Sequence, residues 1–415
     1  MNLYARNMIK NVYSLLTALL LCLFVSCADS GLPRTVAGND LFTVPYGRFD
    51  DQLNLFSLAS VGAVRTYMAM NSGFFYIANG ESKKIMELNS YGDLITLLYN
   101  ADDNVAPDFV PSDMSEAAVS TRKAVAYPFN TLGPVAVDSR KYLYAVDTLP
   151  KSQQIRDNEK NTMLDRVIVC FSSDGTFIDY IGQNGPGGTP FPFIDAVYTT
   201  DSNELVVVCV TNDGPLVYWF SADRYLKYII PVKSADVPDP FTQDENTGTV
   251  HVSVEKVIPA RSGYELFVKV DYSVNYVDQD SKVQSGIDYA GTRVYPLDAV
   301  SGTFGEPYSI PAFEHSVTQG FSRISYSIPY DFMGVTSSGW LFFSIATDNG
   351  FMVQMIQPDG QRILKRNLEI GSDNLLYHSF FLSDTGIITG IFADDQCVSV
   401  KWWRMDDLIN VISRS

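Results

Sequence analysis

The chain is 415 residues long, with 46% hydrophobic residues, 13% aromatics and a formal net charge of -17 at pH 7. That apolar share is ample for a packed core, whereas the acidity excludes nucleic acid and anionic lipid headgroups as partners drawn by bulk charge. The chain has five cysteines, none in a Cys-x-x-Cys pair, which argues against both a zinc site and a disulfide framework.

Residues 1–11 carry Arg6 and Lys10 and no acid, and residues 12–24 form an apolar run with leucines clustered between Leu15 and Leu21. A basic segment before a short apolar one is the pattern of a cleaved secretory signal. A spanning helix needs about 20 apolar residues, and this run stops short. Phe24-Val25-Ser26-Cys27 then resembles a lipobox, with small Ser26 before the cysteine and Phe24 in place of the usual Leu, as in the lax lipoboxes of spirochaete lipoproteins. The resemblance implies a signal peptide over 1–26, a Cys27 carrying palmitate-type acyl chains, and attachment to a membrane by lipid. Plain signal-peptidase cleavage is the alternative. Residues 27–50 read as the anchored linker and 51–415 as the folded domain. Cys170 and Cys209 lie inside apolar runs and Cys397 precedes Val398, so all three read as small buried hydrophobes.

Along the folded part, one pattern recurs: an apolar stretch, a tight turn of small polar residues, a second apolar stretch. The turns are Met70-Asn71-Ser72-Gly73, Asp138-Ser139-Arg140-Lys141, Thr200-Asp201-Ser202-Asn203, Ala260-Arg261-Ser262-Gly263, Thr336-Ser337-Ser338-Gly339 and Ser383-Asp384-Thr385-Gly386. Each is followed by a β-branched and aromatic run, then by a further turn signal such as Ser173-Asp174-Gly175 or Pro358-Asp359-Gly360. Each unit therefore reads as a four-stranded antiparallel meander. A lone meander cannot cover both of its faces, and six in succession predict an all-β, six-bladed β-propeller. The expected ring runs from near Val64 to near Arg404, closed by an extra strand from residues 52–58 or 408–412. Gly133-Pro134-Val135-Ala136-Val137-Asp138 with Tyr142-Leu143-Tyr144-Ala145-Val146-Asp147 resembles an NHL-type repeat, and residues 193–210 resemble it more loosely. That likeness implies the propeller fold and leaves activity open, because the class includes scaffolds, sensors and enzymes.

In a meander, connections alternate between the two ends of the blade. Turns from first to second and third to fourth strands share one end, and these are uniformly short. The long insertions, at 101–129, 148–165, 183–192, 233–250, 271–291 and 312–327, all fall at the other end, which makes it the expected working face. Innermost strands begin at that end, and Arg65, Asp195, Glu255, Asp331 and His378 stand at or near their starts. Such a ring suits a charged ligand or a divalent cation such as calcium; equally, a wet channel mouth is polar without binding anything. Asp271, Asp278, Asp280 and Asp288 form an acidic stretch that lacks the glycine and closing glutamate of a calcium loop. Aromatics in the insertions, including Phe109, Tyr127, Phe193, Phe241 and Phe313, suit a protein or a sugar, or simply pin the loops down.

Only three histidines are present, and no nucleophile-elbow, zinc-protease or phosphate-loop motif. The expected function is a membrane-tethered scaffold that binds an envelope protein, peptide or glycan. The alternatives are a metal-assisted lyase or hydrolase at the channel mouth and an assembly lipoprotein of an outer-membrane complex.

Overall fold

A computed structural model describes residues 33–56, 65–80, 82–109, 121–241, 249–277, 284–319, 322–348, 350–371 and 374–414. Cys27 and the signal stretch lie outside these residues, as do Asp278 and Asp280 of the acidic stretch.

The recurring turns build the hairpins through two devices. Lys141, Asn203, Gly263, Gly339 and Gly386, the fourth residues of five turns, sit at positive φ, and Ser72 and Gly73 both do so in the two-residue first turn. The leading side chain of a longer turn caps its own loop. Asp138 Oδ1 accepts the Arg140 and Tyr142 amides at 2.9 Å, and the Thr200, Thr336 and Ser383 hydroxyls accept the Glu204, Trp340 and Ile387 amides at 3.2, 3.0 and 2.8 Å. Short polar side chains bonded to nearby backbone are what such turns select.

Six mainly antiparallel sheets result, each a blade. The first comprises Thr66–Asn71, Phe74–Asn79, Lys84–Leu88 and Leu94–Tyr99, with Lys123–Ala126 added in parallel on the outside. The second comprises Leu132–Val137, Leu143–Thr148, Arg166–Phe171 and Phe177–Gly182, with the short Gly185–Pro186; the third Ile194–Thr199, Leu205–Thr211, Gly214–Phe220 and Leu226–Pro231. The fourth is built from the long strands Thr249–Pro259, Glu265–Val277 and Gln284–Asp298, edged by Tyr308–Ile310. The fifth holds Asp331–Val335, Leu341–Thr347, Gly350–Ile356 and Ile363–Glu369. The sixth begins with Tyr377–Leu382, Ile387–Ala393 and Cys397–Arg404. Apolar faces meet between blades: Phe75, Met86 and Leu97 of the first pack with Ile391 and Val400 of the sixth, and Val206 and Trp219 of the third with Val268 and Tyr295 of the fourth. Each such side chain contributes about 1.5–3 kcal/mol on burial.

Ring closure corrects the sequence reading. The outermost strand of the sixth blade is Asn39–Pro45, antiparallel to Cys397–Arg404, with Phe42 opposite Val400 and Val44 opposite Val398. Thr35–Ala37 adds in parallel to the fifth blade. The stretch read as linker thus supplies strands to two blades. Of the two segments expected to close the ring, 52–58 contributes an isolated bridge between Leu53 and Tyr46, its residues 57 and 58 lying outside the described ones. Residues 408–412 belong instead to the helix Met405–Ser413, whose Met405, Leu408, Ile409 and Ile412 are buried at helical spacing. Phe42 and Val44 alternate with exposed Thr43, the period of a half-buried strand, and Pro45 is tolerated because the strand is an edge.

Three of the expected loops are β-ribbons; that in 148–165 is the short hairpin Ile155–Asp157 with Thr162–Leu164. The 271–291 insertion continues two strands of the fourth blade, and 312–327 is the separate hairpin Phe313–Gln319 with Ser322–Ile328. The base of the 271–291 ribbon is core: Tyr272 is fully buried and its hydroxyl donates to the Pro238 carbonyl at 2.6 Å.

Candidate functional site: a channel with two unlike mouths

The innermost strands of the six blades surround a cavity of about 240 Å³, and a second cavity of about 410 Å³ opens among the tight turns. Both are lined by Tyr198, Thr199, Phe381 and Arg261. Arg261 therefore stands on the partition between them.

At the long-connection end, the predicted residues divide. Asp195 lines the channel cavity. Asp331 and His378 stand at the starts of their strands, exposed, and Asp331 is close enough to act electrostatically on both His378 and Lys256. Burial lowers the His378 imidazole from its usual range, with Asp331 pulling the other way; the ring lies 4.6 Å from that of Phe351. Arg65 is exposed ahead of the first blade, outside the channel lining, and acts electrostatically on Tyr377. Glu255 is exposed and accepts the Ser253 hydroxyl at 2.6 Å, outside the channel lining.

In place of Glu255, the fourth blade presents Lys256 to the channel. The cause is a register shift between Val254 and Lys256, which leaves Glu255 as the extra residue of a β-bulge. A similar shift between Ile194 and Ala196 makes Asp195 the unpaired residue of its strand. Burial lowers the Lys256 ammonium, while Asp195 and Asp331 hold it up. An ammonium under the influence of both carboxylates puts positive charge beside them, which opposes the entry of a divalent cation. Among the described residues no three His, Cys, Asp or Glu side chains come together as a metal-holding group.

The other chemistry-bearing residues are spent on structure. Asp271 receives the Lys269 ammonium at 2.6 Å and the Thr292 hydroxyl. His315 lies on the ribbon with its ring 5.4 Å from that of Tyr326. Cys170 and Cys209 are buried free thiols, and burial pushes Cys170 up to about 11, which leaves it unreactive near neutrality.

The tight-turn mouth is built by the second residue of each longer turn: Ser139, Asp201, Arg261, Ser337 and Asp384. Neighbouring turns are laced together. The Asp201 amide donates to the Arg261 carbonyl at 2.8 Å, the Ser337 amide to the Asp384 carbonyl at 2.8 Å, and the Asn71 side-chain amide to the Asp138 carbonyl at 2.7 Å. Ser337 Oγ donates across the mouth to the Asp201 carboxylate at 3.1 Å. The Arg261 guanidinium donates to Thr199, Val335 and Leu382 carbonyls at 3.3–3.4 Å, so one side chain from the fourth blade bolts the ends of innermost strands in the third, fifth and sixth. Burial lowers its pKa, opposed first by Asp384 and then by Asp201. Neither Arg261 nor Lys256 was found from the sequence. For Arg261 a signal existed, because the second turn position carries Ser, Asp, Arg, Ser and Asp in the aligned turns. For Lys256 none did, since a bulge leaves no mark in residue type here.

No family model and no curated protein matches the chain. Among solved structures, a gluconolactonase from Xanthomonas campestris is similar at 11% identity and a TM-score of 0.38, over 89% of this chain and 97% of that one. A hydrazine synthase from Kuenenia stuttgartiensis is similar at 10% identity and a TM-score of 0.39, over 83% and 98%. The sheet order by itself establishes a six-bladed β-propeller, charged at one channel mouth and bolted at the other.

Proposed function

We propose that the chain is a lipid-tethered scaffold of the cell envelope that presents the long-connection end of its propeller to an envelope protein, peptide or glycan. The observation that carries this reading is the asymmetry of the ends: three ribbons and the blade-to-blade crossings gather at one, while the other has short hydrogen-bonded turns. Val317, Ile324 and Tyr326 on the free-standing ribbon are 41, 49 and 46% exposed, which gives that end apolar contact surface of the kind interfaces use. The lipobox-like Cys27 and the NHL-type likeness of the second blade fit the same reading.

Cross-linking in envelope fractions, mapped by mass spectrometry, tests it. Cross-links concentrated on residues 151–164 and 313–328 support the scaffold; cross-links spread evenly over the outer blade edges sink it. For the tether, Cys27→Ala is expected to move the chain from the membrane to the soluble fraction, and lipid labelling that persists in the variant refutes the anchor.

A further inference from the structure

We propose that the tight-turn mouth is a binding site for a neutral pyranose, either a free sugar or the terminal unit of a glycan. This site lies at the end of the propeller opposite to the scaffold face, and the proposal does not rest on that reading.

Size and enclosure come first. The cavity of about 410 Å³ falls within the range of roughly 300–1,000 Å³ typical of small-molecule clefts. Its walls are rigid, because the turns that form it are hydrogen-bonded to one another across blades. A preformed cleft spends little free energy on ordering when a ligand enters.

The chemistry of the lining then selects the ligand. Asp201 and Asp384 bring acceptor oxygens. Asp384 Oδ1 accepts the neighbouring Thr385 amide at 2.9 Å, and no described residue donates to its Oδ2. Asp201 receives the Ser337 hydroxyl, which leaves lone pairs for further donors, since a carboxylate accommodates about four. Arg261 brings donors: a guanidinium has five N–H groups, and its three carbonyl contacts are long, at 3.3–3.4 Å. A ligand here must therefore donate and accept at once. An anion is repelled by two carboxylates, and a cation meets the guanidinium at the floor of the cavity. Hydroxyl groups do both jobs without net charge. Apolar surface completes the match, because Trp402, Phe381 and Met70 line the same cavity, and the C–H face of a sugar ring packs on an aromatic plane while its hydroxyls reach outward.

The test titrates the purified full chain with the methyl pyranosides of glucose, galactose, mannose and N-acetylglucosamine, followed by neutral oligosaccharides ending in the same units. Saturation-transfer NMR and tryptophan fluorescence are the readouts, with Trp402→Phe assigning the fluorescence change among the four tryptophans. At least one sugar is expected to bind saturably. Asp384→Asn, a change in an exposed turn, should weaken binding by about tenfold, as expected for loss of a hydrogen bond to a charged group. Asp201→Asn should weaken it less, because the Ser337 hydroxyl already shares that carboxylate. A free pyranoside that binds as well as the oligosaccharide assigns the site to small sugars, and a stronger oligosaccharide response assigns it to a glycan end. Failure of every sugar to bind, or binding unchanged in both Asp variants, overturns the proposal, as does saturable binding of glycine or lysine in place of sugar.

Discussion

The two channel mouths are built from the same six repeats and differ in almost every physical respect. At one, charged residues sit at strand starts, connections are long, and three ribbons extend beyond the blades. At the other, turns of a few residues are tied to one another and to a central guanidinium. A short turn between paired strands has its backbone set by the strands it joins, so side chains there have fixed geometry suited to a small ligand. A long connection gains reach and gives up that fixity, which suits a large partner. Changes at the tight-turn end should therefore cost stability, and comparable changes at the long-connection end should not.

The sharpest form of this contrast compares the two channel cations. Arg261→Met removes three charged hydrogen bonds while keeping the stem, and should destabilise the fold by about 3 kcal/mol, less than three short bonds would imply. Lys256→Met removes an ammonium whose burial cost is opposed by its attraction to Asp195 and Asp331, and should change stability by less than about 1 kcal/mol because the two nearly offset. Urea unfolding with an unchanged m-value checks both. Equal costs would erase the distinction between bolt and mouth.

A second measurement uses pH. Lys84 begins a strand at the long-connection end, is buried, and donates to the Phe49 carbonyl; burial lowers it to about 8. The unfolded chain keeps that proton up to about 10.4, so between pH 8 and 10 the unfolded state holds more protons and stability rises with pH. The gain from pH 7 to 10 should be roughly 2 kcal/mol, and Lys84→Met should abolish it. Above pH 10 the trend reverses, because buried tyrosines such as Tyr76 and Tyr144 are pushed up and only the unfolded chain releases their protons.

Smaller effects separate the ends residue by residue. Gly386 sits at φ 101°, and a Cβ there would meet Ile409 Cδ1 at 2.9 Å, so Gly386→Ala should cost about 1–2 kcal/mol. Replacing residues 315–326 of the ribbon by a two-residue turn should shift stability by less than about 0.5 kcal/mol, because loop closure depends weakly on length and residues 316–318 and 324–326 are exposed. In the 271–291 ribbon, trimming is expected to be harmless only beyond Val274, since Tyr272 and Val274 are core. Least of all, His378 has its pKa lowered by burial. Protonation favours the unfolded chain as pH falls through about 6.5, so acid stability should improve slightly in His378→Gln. No change between pH 7 and 5 would mean that the ring is as solvated in the folded as in the unfolded chain.

What the sequence determined is the repeat. Turns such as Thr200-Asp201-Ser202-Asn203 and Ser383-Asp384-Thr385-Gly386 announce themselves through local chemistry, a capping side chain followed by a residue tolerant of positive φ, and local chemistry survives in any context. Six hairpins at regular intervals imply the blades, and strand parity then sorts short connections from long ones. Three things were decided only by tertiary structure. The closing strand is Asn39–Pro45 because ring closure is a long-range pairing, chosen by which segment offers apolar residues to Val398 and Val400. The channel receives Lys256 and not Glu255 because a bulge shifts side-chain alternation by one, and a bulge answers to the space between blades. Arg261 is a bolt because three carbonyls from other blades converge on it, and a turn residue gains partners so distant in sequence only when the ring is complete.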